Sequence, residues 1–212
     1  PRRTQPEPYT ADEIRSLLDA AEYSAPWIGR YQGARSRRAT ALRDRAIMLL
    51  LLDSGLRASE ICALRLEDYD RRTGRALVRH GKGDKERVVF AGHATRQAIW
   101  RYLQDRMRRS QVSQLHRSKP LFCTSTGQHL DRSQLLHMIR NCAQRAGVAG
   151  ANVHRFRHTF AVTMLRNGAS AFVVQQLLGH EDMATVRVYI KLAEIDLEQA
   201  MRAASPADAW RL

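Results

Sequence analysis

Apolar residues recur at helical spacing along most of the chain, and β-prone runs interrupt this pattern only briefly. A capping box, formed by Thr10 and Glu13, opens the first amphipathic segment. The segment 41–53 is apolar on most faces, which is typical of a buried central helix. The pattern predicts helices at 11–22, 41–53, 58–65, 93–108, 132–146, 155–167, 171–178, 183–191 and 194–203.

The interruption in the helical pattern predicts a small antiparallel sheet. The β-prone runs 75–79 and 87–90 flank a segment with two glycines, which is typical of a β-hairpin. A further short strand is predicted at 120–123. The predicted fold class is therefore mainly α (α+β), a single helical domain with a small antiparallel β-sheet. We expect a linker at 1–8, the domain at 9–204 and a C-terminal tail at 205–212.

Charge points to a polyanionic partner. The 212 residues include 35 Lys and Arg, mostly Arg, against 21 Asp and Glu, which gives a net charge of +14. The longest apolar run, 46–52, is too short to span a membrane. Residues 1–6 are not followed by an apolar segment, so the sequence predicts no secretory signal peptide. The three cysteines lie far apart, so neither a disulfide framework nor a zinc cluster is expected, and a reducing cytoplasm fits.

Four cationic or titratable side chains lie together in the segment 154–158, HRFRH. Residues three apart lie on the same face of a helix, so His154 shares one face with Arg157, and Arg155 shares another with His158. Burial of these groups requires a compensating partner. The residues alone leave two interpretations open, an anion-binding site and a solvated basic turn.

Three other segments carry polar residues that each have an ordinary structural explanation. Arg57 follows a predicted helix stop, and Glu60 comes three residues later, where it can hold Arg57 in an ion pair. Lys82 lies between two glycines of the predicted hairpin. His180 follows a glycine, and Tyr189 comes nine residues after that histidine.

The order and spacing of these motifs resemble the catalytic domain of the tyrosine recombinase (phage integrase) family. The motifs are SGLRASE, GKGDKERVV, HRFRH and LGH, followed by Tyr189. The resemblance covers residues 9–204 and is closest to Xer-like and mobile-element integrases. It implies the catalytic-domain fold of that family. It also implies a site-specific recombinase that cleaves and rejoins duplex DNA through a 3′-phosphotyrosyl intermediate, without ATP, a metal or another cofactor. The resemblance includes no counterpart of the family's N-terminal core-binding domain.

The resemblance also assigns a role to each motif. Glu60 is expected to orient Arg57, and His180 to donate a hydrogen bond to the phosphate. The catalytic residues implied are Arg57, Lys82, His154, Arg157, His180 and Tyr189.

The chemistry of phosphoryl transfer suits these residue types. Negative charge gathers on the non-bridging oxygens in the transition state, where the guanidinium groups of Arg57 and Arg157 can stabilise it. A tyrosine with a pKa near ~10 is a weak nucleophile at neutral pH, so a base is needed, for which His154 is the candidate. Lys82 can protonate the departing 5′-oxygen, a role closed to arginine.

Two other functions are weighed against recombination. A DNA-binding regulator that had kept the fold would have no need of the nucleophile, and a type IB topoisomerase would use related chemistry to rejoin the same strand. The expected partner is double-stranded DNA, on which family members form a tetramer. The run 193–201 either exchanges between protomers or packs on its own domain, as in a monomer. We expect no membrane partner, and a cytoplasmic protein at the nucleoid.

The charge predicts that duplex DNA binding by this chain depends steeply on salt and only weakly on sequence. Neutralising Z phosphates gives a log–log slope of about −0.9Z for affinity against salt concentration. Titration of a labelled duplex at several salt concentrations measures that slope. An affinity that stays flat between low and moderate salt would contradict the prediction.

Overall fold

The computed structural model describes residues 7–25, 33–79, 86–179, 189, 190 and 205. Helices and one two-stranded antiparallel sheet account for most of these residues. In chain order the elements are α1 (Ala11–Glu22), α2 (Ala41–Ser54), α3 (Ala58–Ala63), a 3-10 helix (Leu66–Asp68), β1 (Arg75–Val78), β2 (Arg87–Phe90), α4 (His93–Arg109), α5 (Arg132–Ala146), α6 (Val153–Arg166) and α7 (Ala171–Leu178).

The predicted fold class, the hairpin strands and the helices up to 178 are confirmed, with ends that shift by a few residues. The strand predicted at 120–123 is wrong. Pro120 and Cys123 each form only an isolated bridge, to Arg65 and His129 respectively, so this apolar run is buried without a continuous partner strand. The helices predicted at 183–191 and 194–203 lie outside the described residues, apart from 189 and 190.

Helix α2 is the centre of the domain, as its apolar sequence predicts. Ile47, Leu50 and Leu51 are fully buried, and the helix packs against α1, α4, α6 and β2. In the sheet, Val78 of β1 pairs with Arg87 of β2, and β2 also contacts α7. The first residue of β2 therefore lies close to the end of α7.

A second, smaller core lies between α6 and α7. Phe160 and Leu165 of α6 pack with Val174 and Leu178 of α7, and Tyr189 completes this cluster. The apolar face of α6 thus connects the main core to the segment that contains the candidate nucleophile.

Arg155 ties the start of the chain to α6. Its Nη2 donates to both carboxylate oxygens of Glu13, at 2.9 and 2.8 Å, and its Nε donates to the carbonyl oxygen of Glu7 at 2.8 Å. The guanidinium also lies 4.1 Å above the ring of Tyr9. The charge of Arg155 is therefore neutralised inside the protein by Glu13. Arg155 belongs neither to an anion-binding site nor to a solvated basic turn, the two interpretations that the sequence left open.

None of the helices in the described ranges is both long and apolar enough to cross a membrane.

The turn from α2 to α3 requires a glycine. Gly55 adopts a left-handed conformation, with φ of +59°, and its N–H donates to the carbonyl oxygen of Leu51 at 3.0 Å. A Cβ atom here would lie 2.6 Å from the Phe160 ring and 2.8 Å from Leu178 Cδ2. Both the backbone conformation and the close approach of α6 and α7 exclude a side chain.

We expect Gly55→Ala to lower the melting temperature much more than Gly147→Ala. Gly147 ends α5 in the same left-handed conformation, with φ of +67°, but has nothing within 4 Å of an added Cβ. Both variants incur about 1–2 kcal/mol of backbone strain, and Gly55→Ala adds about 1–3 kcal/mol of overpacking. Each kcal/mol corresponds to roughly 2–4 °C at this chain length. Equal losses in thermal melts of the two variants would contradict the packing argument.

Candidate active site

The corner between α2 and α3 presents Arg57 and Glu60. Arg57 is the residue before α3, and its backbone N–H donates to Glu60 Oε2 at 2.7 Å. The Arg57 side chain donates through Nη1 to Glu60 Oε1 at 2.8 Å. Arg57 keeps 30% of its side-chain surface exposed, whereas Glu60 keeps 2%. The predicted pair is therefore formed, with the arginine reaching solvent and the carboxylate behind it.

Glu60 has a second arginine partner that the sequence analysis did not identify. Arg87, the first residue of β2, donates to Glu60 Oε1 from Nη1 at 2.8 Å and to Oε2 from Nη2 at 2.7 Å. Burial by itself would raise the pKa of Glu60, but the hydrogen bonds and charge of Arg87 and the hydrogen bonds of Arg57 outweigh it and lower this pKa to about 2. Glu60 is thus a carboxylate at neutral pH.

Arg157 lies on α6 and joins two chain segments through its guanidinium. Nη1 donates to the carbonyl oxygen of Gly55 and Nη2 to that of Leu178, each at 2.6 Å. The residue is only 3% exposed. Because both carbonyls end a helix, they are natural acceptors for a cation. Arg157 therefore holds the end of α2, just before Arg57, against the end of α7.

Burial is the main reason why the pKa of Arg157 falls to about 10, and the positive charges of Arg57 and Arg87 lower it further. Glu60 acts in the opposite direction. Arg157 stays protonated at neutral pH, but its charge is only partly compensated. Such a cluster of guanidinium groups favours binding of an anion.

Tyr189 lies at the edge of the second core, close to the arginine cluster. The residue is 1% exposed, and its ring packs edge-on against His158 with the ring centroids 5.3 Å apart. Burial raises the pKa of its hydroxyl, while the positive charges of Arg157 and Arg57 lower it. The hydroxyl therefore experiences the field of both arginines.

The two histidines of the HRFRH segment differ in their surroundings. His154, on the first turn of α6, keeps contact with solvent, and partial burial followed by the charge of Arg157 lowers its pKa. His158 is 1% exposed, and neither of its ring nitrogens has a hydrogen-bond partner in the ranges that the structure describes. Burial and then the neighbouring His154 and Arg155 lower the pKa of His158, so both rings are neutral at pH 7.

The structure thus brings five of the seven predicted residues into one region. The five are Arg57, Glu60, His154, Arg157 and Tyr189. The other two, Lys82 and His180, lie outside the described residues.

The role of Arg87 was not recognisable from sequence spacing. Arg87 is one of several arginines on the predicted hairpin, and its contact with Glu60 spans 27 positions. The alternation of the strand indicates only that neighbouring side chains point to opposite faces. The packing of β2 against α7 determines which face of the strand is turned toward the site. This packing joins distant parts of the chain, so the local sequence does not reveal it.

Comparisons with known proteins agree with this geometry. A model of the phage integrase family matches residues 8–195. The chain is 34% identical to tyrosine recombinase XerD of Mycobacterium tuberculosis (strain CDC 1551 / Oshkosh), over 97% of this chain and 63% of the relative. It is 35% identical to tyrosine recombinase XerC of Thermodesulfovibrio yellowstonii, over 89% of this chain and 58% of the relative. The chain therefore spans only about three-fifths of the length of these relatives.

Solved structures show the same fold. The structure matches XerA recombinase with a TM-score of 0.71 and 27% identity, over 97% of this chain and 66% of the other. It matches XerH site-specific recombinase, bound to its palindromic difH substrate after cleavage, with a TM-score of 0.69 and 21% identity, over 97% and 54%. The family match, the sequence relatives and the fold agree with one another, and the chain belongs to the phage integrase family.

Proposed function

We propose that residues 9–204 are the catalytic domain of a site-specific DNA recombinase, which cleaves and rejoins duplex DNA by transesterification. The observation that carries the proposal is the convergence of Arg57 and Arg157 on Tyr189. These residues come from three distant segments, and both arginines act electrostatically on the tyrosine hydroxyl. A phenol beside two guanidinium groups is suited to attack on a phosphodiester, because the same cations stabilise the negative charge that develops.

In the cleavage step, the Tyr189 oxygen forms a bond to phosphorus, and the bond from phosphorus to the 5′-oxygen breaks. His154 accepts the phenol proton, and Lys82 donates a proton to the departing 5′-oxygen. His180 donates a hydrogen bond to the phosphate. A 5′-hydroxyl of another strand then attacks the phosphotyrosyl bond and releases Tyr189. One phosphodiester is exchanged for another, so the reaction needs no external source of energy.

The protonation states support this division of roles. Burial raises the pKa of Tyr189, so the phenol is protonated at neutral pH and needs a base. The lowered pKa of His154 keeps that ring neutral and able to accept a proton. Since Tyr189 is 1% exposed, its attack on DNA also requires this pocket to open.

Double-stranded DNA is the proposed partner. The net charge of +14 supports contacts to backbone phosphates, which position the duplex without reading its sequence. By analogy with the family, catalysis takes place in a tetramer on DNA, and the isolated chain is a monomer. A protein that acts on chromosomal DNA in this way belongs at the nucleoid of the cytoplasm.

The decisive test is Tyr189→Phe, which should abolish the covalent adduct with DNA. The change removes one oxygen and keeps the ring, so the fold survives, and affinity changes by no more than one hydrogen bond of ~1 kcal/mol. A duplex nicked near the cleavage site traps the adduct, which a denaturing gel resolves. The assay uses protein at a concentration that saturates the DNA.

Tyr69→Phe is the matched control. The Tyr69 hydroxyl is buried and has no hydrogen-bond partner among the residues that the structure describes, so its loss should leave the adduct unchanged. An adduct that persists in Tyr189→Phe, or a DNA-linked peptide that lacks residue 189, would overturn the assignment.

Lys82→Ala should slow cleavage more than it weakens DNA binding. Loss of a general acid costs about 10²–10⁴-fold in rate. A substrate with a 5′-bridging sulfur has a leaving group that needs no proton, so it should recover much of the lost rate. Lys119→Ala, which removes an exposed lysine elsewhere, serves as the control. Equal impairment of Lys82→Ala on both substrates would mean that Lys82 is not the acid.

A further inference from the structure

Arg87 connects β2 to two other segments of the candidate active site. Its Nη1 and Nη2 bind the two oxygens of Glu60, and its Nε donates to the carbonyl oxygen of Leu177 at 2.9 Å. All three nitrogens of the guanidinium are thus engaged, and the side chain is 9% exposed. Arg87 faces the carboxylate and the end of α7, and little of its side chain reaches solvent.

The contact with Leu177 holds the end of α7 beside β2. Leu177 and Leu178 are consecutive residues, and their carbonyl oxygens accept from Arg87 and Arg157 respectively. Gly179 follows with φ of +63°, and a Cβ atom there would lie 3.0 Å from Arg87 Cδ. Two arginines therefore fix the backbone position from which the chain continues to His180.

The contact with Glu60 determines how Arg57 can bind that carboxylate. A carboxylate and a guanidinium prefer to pair through two parallel hydrogen bonds. Arg87 occupies this arrangement, and the backbone N–H of Arg57 also binds Oε2. The Arg57 side chain accordingly binds Glu60 through Nη1 alone. In the described part of the chain, its Nε and Nη2 have no protein partner.

Without Arg87, the carboxylate of Glu60 would be able to pair with Arg57 through both oxygens. That rearrangement would turn a second nitrogen of Arg57 away from solvent. We propose that Arg87 is a positioning residue for strand cleavage, which occupies both oxygens of Glu60 and so keeps the remaining N–H groups of Arg57 available to the scissile phosphate. This inference rests on the proposed function.

The test compares Arg87→Met with Arg43→Met. Arg43 makes a similar set of contacts at the opposite end of α2, since its Nε and Nη2 bind Asp44 Oδ1 at 2.9 and 2.7 Å, and its Nη1 donates to the carbonyl oxygen of Cys123 at 3.1 Å. Both variants lose an ion pair with a buried carboxylate and one bond to a main-chain carbonyl. The chain is assayed for thermal stability, for duplex affinity, and for the single-turnover rate of adduct formation at saturating protein.

We expect Arg87→Met to reduce the cleavage rate by about 10²-fold, because a misplaced catalytic group of this kind costs that much. Its duplex affinity should change by less than about threefold. Arg43→Met should lose comparable thermal stability but keep a cleavage rate within about threefold of the parent chain. A cleavage rate for Arg87→Met that matches that of Arg43→Met would overturn the inference.

A second substitution separates positioning from general destabilisation. Glu60→Gln in the Arg87→Met background removes the negative charge that would capture Arg57, so the double variant should cleave faster than Arg87→Met alone. A double variant that is as slow as Arg87→Met, or slower, would contradict the positioning role. If the parent chain forms no adduct, the proposed function fails together with this inference. If the parent forms the adduct and Arg87→Met is unimpaired, this inference alone fails.

Discussion

The guanidinium of Arg157 lies between the ends of two helices, and the geometry of the site depends on it. It donates to the carbonyl oxygens of Gly55 and Leu178, both at 2.6 Å, from a position that is almost completely buried. Hydrogen bonds from a charged group contribute about 1.5–3 kcal/mol each, and an uncompensated buried carbonyl would be costly. Loss of this side chain would therefore remove the direct hydrogen-bonded link between the α2–α3 corner and the end of α7.

The electrostatic balance of the site follows from the same packing. Arg57, Arg87 and Arg157 surround one carboxylate, Glu60, so the described side chains leave an excess of positive charge. Burial makes this excess costly, as the lowered pKa of Arg157 indicates. A phosphate bound beside Arg57 would relieve that cost, because it brings the missing negative charge. The described part of the site therefore favours the binding of an anion.

Helix α6 serves two purposes through neighbouring residues. Arg155 binds the entering chain and Glu13 on one face, while Arg157 binds Gly55 and Leu178 on another. Because the helix is clamped on both sides, His154 at its start has a defined position. The two arginines look equivalent by residue type, and the family resemblance selects Arg157. Their partners in the structure show that Arg155 forms a structural ion pair, whereas Arg157 lies in the candidate site.

Hydrophobic periodicity and capping residues were sufficient to predict the mainly helical fold and the hairpin, because both are local properties of the chain. The ordered motifs and their resemblance to the phage integrase family predicted seven site residues. The structure places five of them in one region, Arg57, Glu60, His154, Arg157 and Tyr189. The other two, Lys82 and His180, lie outside the described residues. The sequence failed at 120–123, where buried apolar residues lack a partner strand, and it did not reveal Arg87. The contact of Arg87 with Glu60 and the bonds of Arg157 to two helix ends join residues far apart in the chain, so only the packing of β2, α6 and α7 around α2 decides them.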